Sequence, residues 1–102
     1  MFEGLDFSKM SGMMSQMQEK LARFEEEAKK IILTARVGGG MVTMSANGLG
    51  EIVDLSIDDS LLEDKESLQI LLISAINDVM KMVEDYKKSQ AINGILNPFS
   101  NS

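Results

Sequence analysis

Wound as a helix at about 100° per residue, Lys9, Lys20, Arg23 and Lys30 fall within an arc of about 80°, a basic edge suited to gripping phosphates. Glu27 lies in the same arc, so the competing reading is a solvated face laced by i,i+4 pairs such as Glu19 to Arg23 and Glu26 to Lys30. Lys81 and Lys88 share a second basic edge further along, with Lys87 beside them. Against these stand 16 acidic residues to 10 basic ones and a net charge of −6, so any polyanion site must be a local stripe on an acidic protein.

Other chemistry is poorly supplied. The chain has no histidine and no cysteine, which removes the commonest general base, the commonest zinc ligand, thiolate sites and disulfides. We therefore expect a non-enzyme with no cofactor, no metal and no small-molecule substrate. Gly38-Gly39-Gly40 lacks the Gly-Lys-Ser/Thr ending of a phosphate loop and precedes an alternating segment, which favours a turn. Asp54, Asp58, Asp59, Glu63, Asp64 and Glu66 lack the ligand order of an EF-hand and suit helix capping better. No apolar run approaches the roughly 18 residues of a membrane span, and acids occupy the place of a basic signal region, so a cytoplasmic protein without a membrane partner is expected.

The elements that would carry these residues are legible from periodicity. Met10, Met14, Met17, Leu21, Phe24, Ala28 and Ile31 step by four and three, an a/d seam predicting a long helix that starts near Ser8 or Ser11. The four methionines Met10, Met13, Met14 and Met17 at its start read first as packing and second as an adaptable binding surface. Period two then takes over in Leu33, Ala35 and Val37, and again in Val42, Met44 and Ala46. Asn47-Gly48 predicts a type I′ hairpin with positive φ at both residues, followed by a strand with Val53, Leu55 and Ile57 on one face. Ser60 and Glu63 have capping-box spacing for a short helical turn, and Asp64 can cap a second long helix with Glu66 in its first turn.

Along that second helix Leu68, Leu72, Ala75, Ile76, Val79, Met82, Val83 and Tyr86 form one stripe. Ile70, Ile73 and Met80 lie outside it, so apolar residues cover more circumference than one sheet face can bury. With the seam residues Met17, Leu21 and Phe24 they predict a dimer interface, in keeping with the small core available to one chain of 102 residues. Asn77 either bonds across that interface or caps a buried gap. Residues 1–89 read as a single α+β domain, and residues 90–102, aperiodic and rich in helix breakers, as a flexible C-terminal tail.

The order long helix, three-stranded antiparallel meander, short helical turn, long helix resembles the YbaB/EbfC family of bacterial nucleoid-associated proteins. The resemblance runs from Met10 to Asp85 and is sharpest from Gly38 to Gly48, with further matches at Ile57–Leu62, at Ala75–Asp78 and at Gln16–Lys20. It implies a tweezer-like homodimer that binds DNA in the nucleoid. Lys9, Lys20, Arg23, Lys30, Lys81 and Lys88 are then the expected DNA contacts, chiefly to phosphates, since nothing here resembles a base-reading helix. A non-catalytic protein-interaction dimer that does not bind DNA is the alternative.

Overall fold

A computed structural model describes residues 7–95. The heptad-spaced segment forms α1 (Phe7–Lys30), and the alternating segments form β1 (Ile32–Val37), β2 (Val42–Asn47) and β3 (Ile52–Ile57). Short 3-10 turns cover Gly38–Gly40 and Asp59–Glu63, and α2 (Lys65–Ile95) completes an α+β chain. The strands make an antiparallel sheet in the order β1-β2-β3. All three glycines between β1 and β2 have positive φ, a backbone that side chains with a Cβ resist.

Val42, Met44 and Ala46 share the inner face with their β1 partners Val37, Ala35 and Leu33. Ala75, Val79 and Val83 of α2 pack on that face, at the spacing of one helical stripe, and Leu61 closes the end of the core. Ile76 and Met82, expected within the stripe, lie at its margins and stay exposed, while Ile70, Ile73 and Met80 are exposed as well.

Four local expectations are corrected. The hairpin is not a two-residue type I′ turn: Asn47 and Gly48 both have negative φ, and Gly50 adopts +92°. Gly50 N–H donates to the Asn47 carbonyl at 3.0 Å, giving a three-residue loop with one left-handed glycine. The buried Asn47 side chain rigidifies it, its Oδ1 accepting from Leu49 N (3.0 Å) and Glu51 N (3.1 Å) while its Nδ2 donates to Glu51 Oε1 (2.7 Å). Next, a bulge pairs Ala46 with Ile52 after Ser45 with Asp54, so Ile52 joins Leu55 and Ile57 on the inner face and Val53 is the extra residue. The short turn is capped by Asp58, whose Oδ1 accepts from Ser60 N (2.9 Å) and Ser60 Oγ (2.7 Å), and not by Ser60.

The last correction concerns the end of the chain, where α2 continues to Ile95 through residues assigned to the tail. One glycine in a helix costs only about 1 kcal/mol, so Gly94 does not stop it. The rest of the expected tail, 96–102, lies outside the described residues. Asp64 does cap α2, accepting from Ser67 N at 3.2 Å and Ser67 Oγ at 2.7 Å.

Candidate nucleic-acid interface

The final turn of α1 meets the body at the β2–β3 loop. Ala28, fully buried, brings its carbonyl to Gly48 N–H at 2.8 Å, so a helix-end acceptor is satisfied by the sheet. Gly48 is small for the same reason: a Cβ there would lie 2.6 Å from Tyr86 Cε2 and 2.9 Å from the Ala28 oxygen. Beside this joint Phe24 stacks on Tyr86, with ring centroids 6.5 Å apart and planes 23° from parallel. From Lys9 to Arg23 every residue of α1 is exposed, so the helix leaves the body as an arm. The Cα trace measures 72 × 23 × 23 Å.

Lys9, Lys20 and Arg23 are exposed on that arm, and Lys30 is exposed at its base, beyond the Ala28 joint. The pairs of the competing solvated-face reading, Glu19 with Arg23 and Glu26 with Lys30, do not form, and the two ion pairs found among the described residues are both on α2. There Lys81 Nζ lies 3.9 Å from Asp85 Oδ1 and Lys88 Nζ 2.9 Å from Glu84 Oε1. The Lys88 hydrogen bond, aided by its charge, holds the Glu84 carboxyl below its ordinary range, and the same contact pushes the Lys88 ammonium up. The structure thus separates the six expected contacts into four unpaired ones on α1 and two paired ones on α2. Exposed pairs are weak, so Lys81 and Lys88 can exchange partners.

Charge is distributed unevenly along the molecule. Asp58, Asp59, Glu63 and Asp64 fall in or beside the turn after β3. Asp58 N–H donates to the Met41 carbonyl at 2.7 Å, placing this turn at the opposite end of β2 from the α1 joint. A six-residue strand spans about 20 Å, roughly two Debye lengths at physiological salt. The four acids of that turn are therefore screened from the arm, whereas Glu19, Glu25, Glu26 and Glu27 are carried on α1 itself.

On the apolar side, Met17 (64% exposed), Leu21 and the half-buried Phe24 continue along the arm beside its basic arc, and Ile70 (67%), Ile73 and Met80 stand out from α2. Asn77 is exposed near Met80, which removes the buried-gap explanation for it. One apolar surface went unforeseen: β3 has an unpaired outer edge, and Ile52, Val53 and Leu55 on it are about half exposed. Periodicity placed Leu55 on one face with Ile57 but could not reveal that α2 packs chiefly on β1 and β2 and leaves all of β3 but Ile57 exposed.

No group of three metal-binding side chains occurs among the described residues, and no helix among them is long and apolar enough to cross a membrane. Residues 3–95 match the YbaB/EbfC DNA-binding family. The chain belongs to that family. It is 61% identical over 101 residues to a protein of a Sulfurovum species named nucleoid-associated protein, covering 97% of this chain and 98% of that one. A Campylobacter jejuni protein of the same description is 57% identical over 93% and 95% of the two chains. The crystal structure of an uncharacterised Helicobacter pylori protein superposes with a TM-score of 0.82 at 52% identity, over 89% of this chain and 98% of that one. The family match reaches Ile95, where α2 ends, and so includes the helical residues 90–95.

Proposed function

We propose that this chain is a non-catalytic nucleoid-associated protein of the bacterial cytoplasm that binds double-stranded DNA as a homodimer. Binding runs through phosphates with little sequence preference. The observation that carries this reading is the exposed basic arc of Lys9, Lys20 and Arg23 on the arm and Lys30 at its base, none of them in an ion pair although Glu27 shares the arc, at the far end of β2 from the acidic turn. Two such arms, one from each copy, straddle the duplex, and Lys81 and Lys88 supply a second edge once they leave Asp85 and Glu84. Dimerisation is supported by Met17, Leu21, Phe24, Ile70, Ile73 and Met80, apolar side chains the single chain leaves exposed or half-buried, and by the open edge of β3.

Gel retardation of a random-sequence duplex at several salt concentrations tests this. Each neutralised phosphate adds about 0.9 to the salt slope, so six to eight contacts make affinity collapse between roughly 50 and 200 mM salt. The double reversal Lys20→Glu, Arg23→Glu abolishes retardation and leaves the sedimentation of the dimer unchanged. Retention of full binding removes this arm edge as the site. If the parent binds no DNA at about 50 mM salt, the protein-interaction dimer is the better reading, and the acidic turn beside a shallow groove of about 490 Å³ lined by Met41, Leu61, Ile70 and Leu71 is where a partner would meet it.

A further inference from the structure

The arm carries Met10, Met13, Met14 and Met17 within two helical turns, between 47% and 65% exposed, whereas Met44 in the core is 4% exposed. Thioethers are the soft nucleophiles left to this chain, because it has no cysteine. All four lie on the apolar stripe of α1, and Met10, Met14 and Met17 occupy its a/d positions. We propose that this cluster is a modification site for peroxide-class oxidants, and that its oxidation loosens the packing of the arm against the second copy.

In the reaction a sulfur lone pair attacks one peroxide oxygen, the S–O bond forms and the O–O bond breaks. The departing hydroxide takes the proton from the transferred hydroxyl and leaves as water. Sulfur gives up two electrons, and the peroxide is reduced. The product is polar and chiral where the seam needs a flexible apolar side chain. This part of α1 has almost no tertiary contact within the chain, so its sulfurs are reached without unfolding the sheet. Met44 is reached only when the core opens.

The consequence for assembly rests on the dimer reading above; the site itself does not. The purified full chain is treated with graded hydrogen peroxide, and site-resolved mass spectrometry is run beside sedimentation and circular dichroism. Met10, Met13, Met14 and Met17 oxidise at least about tenfold faster than Met44. Self-association then weakens by about tenfold or more, the strand signal persists, and a methionine sulfoxide reductase restores the parent behaviour. A variant with all four replaced by leucine, which conserves volume, assembles normally and loses less association than the parent at the same dose, its remaining oxidation falling on Met80 and Met82 of α2. Equal oxidation rates at Met13 and Met44 overturn the site. Unchanged association of the oxidised parent, or equal peroxide sensitivity of the leucine variant, overturns its consequence. An untreated protein that sediments as a folded monomer instead refutes the dimer reading and the consequence together, leaving the relative oxidation rates to decide the site.

Discussion

Replacing Gly48 by alanine tests how the arm is fixed to the body, because the substitution adds one methyl group where two elements already touch. Backbone strain is not the issue, since φ at Gly48 is negative. The added Cβ would sit 2.6 Å from Tyr86 Cε2, 2.9 Å from the Ala28 oxygen and 3.1 Å from Ala28 Cα. Tyr86 can rotate away, at the expense of its stacking on Phe24, and an aromatic pair of this kind contributes about 0.5–1.5 kcal/mol. The Ala28 backbone can yield only if the last turn of α1 shifts, which strains the Gly48–Ala28 hydrogen bond, and overpacking typically costs about 1–3 kcal/mol. Together these give a loss of about 2–4 kcal/mol, or a fall in Tm on the order of 10 °C or more for a domain this size. Gly48→Val should be worse. Urea and thermal denaturation at matched protein concentration measure the loss, and adding Tyr86→Leu should recover only part of it because the Ala28 clash stays. A Gly48→Ala protein within about 0.5 kcal/mol of the parent refutes the close approach.

Other outcomes follow from the same geometry. Gly39→Ala meets no atom within 4 Å but holds φ at +69°, so it should cost about 1–2 kcal/mol through strain alone, with no change at the arm joint; a neutral result in denaturation refutes the turn conformation. Reversing Lys81 and Lys88 to glutamate should weaken DNA retardation less than reversing Lys20 and Arg23, because only the α2 lysines have carboxylate partners to give up; the opposite ranking would move the site to α2. Leu55→Asp on the open face of β3 should shift sedimentation toward monomer without unfolding the chain, and an unchanged dimer would place the interface elsewhere. The carboxyls of Asp58 and Asp64 sit below their ordinary values through hydrogen bonds from Ser60 and Ser67, so their capping is fully present above the unfolded pKa of about 3.9 and is lost as pH falls through the lower folded values. Thermal melts from about pH 7 down to about pH 2 should therefore show a component in the parent that is absent from the Asp58→Asn, Asp64→Asn protein.

Residues whose patterns repeat were the ones the sequence could place. Met10 to Ile31 and Leu68 to Tyr86 repeat often enough for helical period to dominate, and Val42 to Ala46 is flanked by breakers that bound a strand. Failures cluster where one or two residues decide the geometry. The Asn47-Gly48 dipeptide fits a type I′ turn locally, but the Asn47 side chain finds three partners in a longer loop, and the second glycine at Gly50 takes the left-handed position instead. Val53 falls out of step because a bulge shifts the parity of β3, an event that alternation cannot encode. Residues 90–95 have no apolar stripe, yet a helix already nucleated over many turns extends through them at little expense. For the basic edge, the arc on α1 was visible from spacing, whereas its freedom from ion pairs and its distance from the acidic turn depend on rotamers and on topology.

The joint formed by Ala28, Gly48, Phe24 and Tyr86 has a mechanical consequence. It lies near one end of α1, which runs on for about 26 Å from Phe24 to its first residue at 1.5 Å per residue and is exposed from Lys9 to Arg23. A helix is stiff along its axis, whereas the joint is a single-residue link through Ile31, the buried Ala28 with its hydrogen bond to Gly48, and one pair of rings. Any bending at the joint is magnified along the arm: a tilt of about 10° there would carry the far end through about 4–5 Å over that length. An error of that size exceeds the tolerance of a hydrogen bond to a base edge but is within the reach of a lysine toward a phosphate. On the proposed reading, an arm hinged in this way would follow a duplex whose groove width and curvature vary, which is one physical route to the weak sequence preference proposed above.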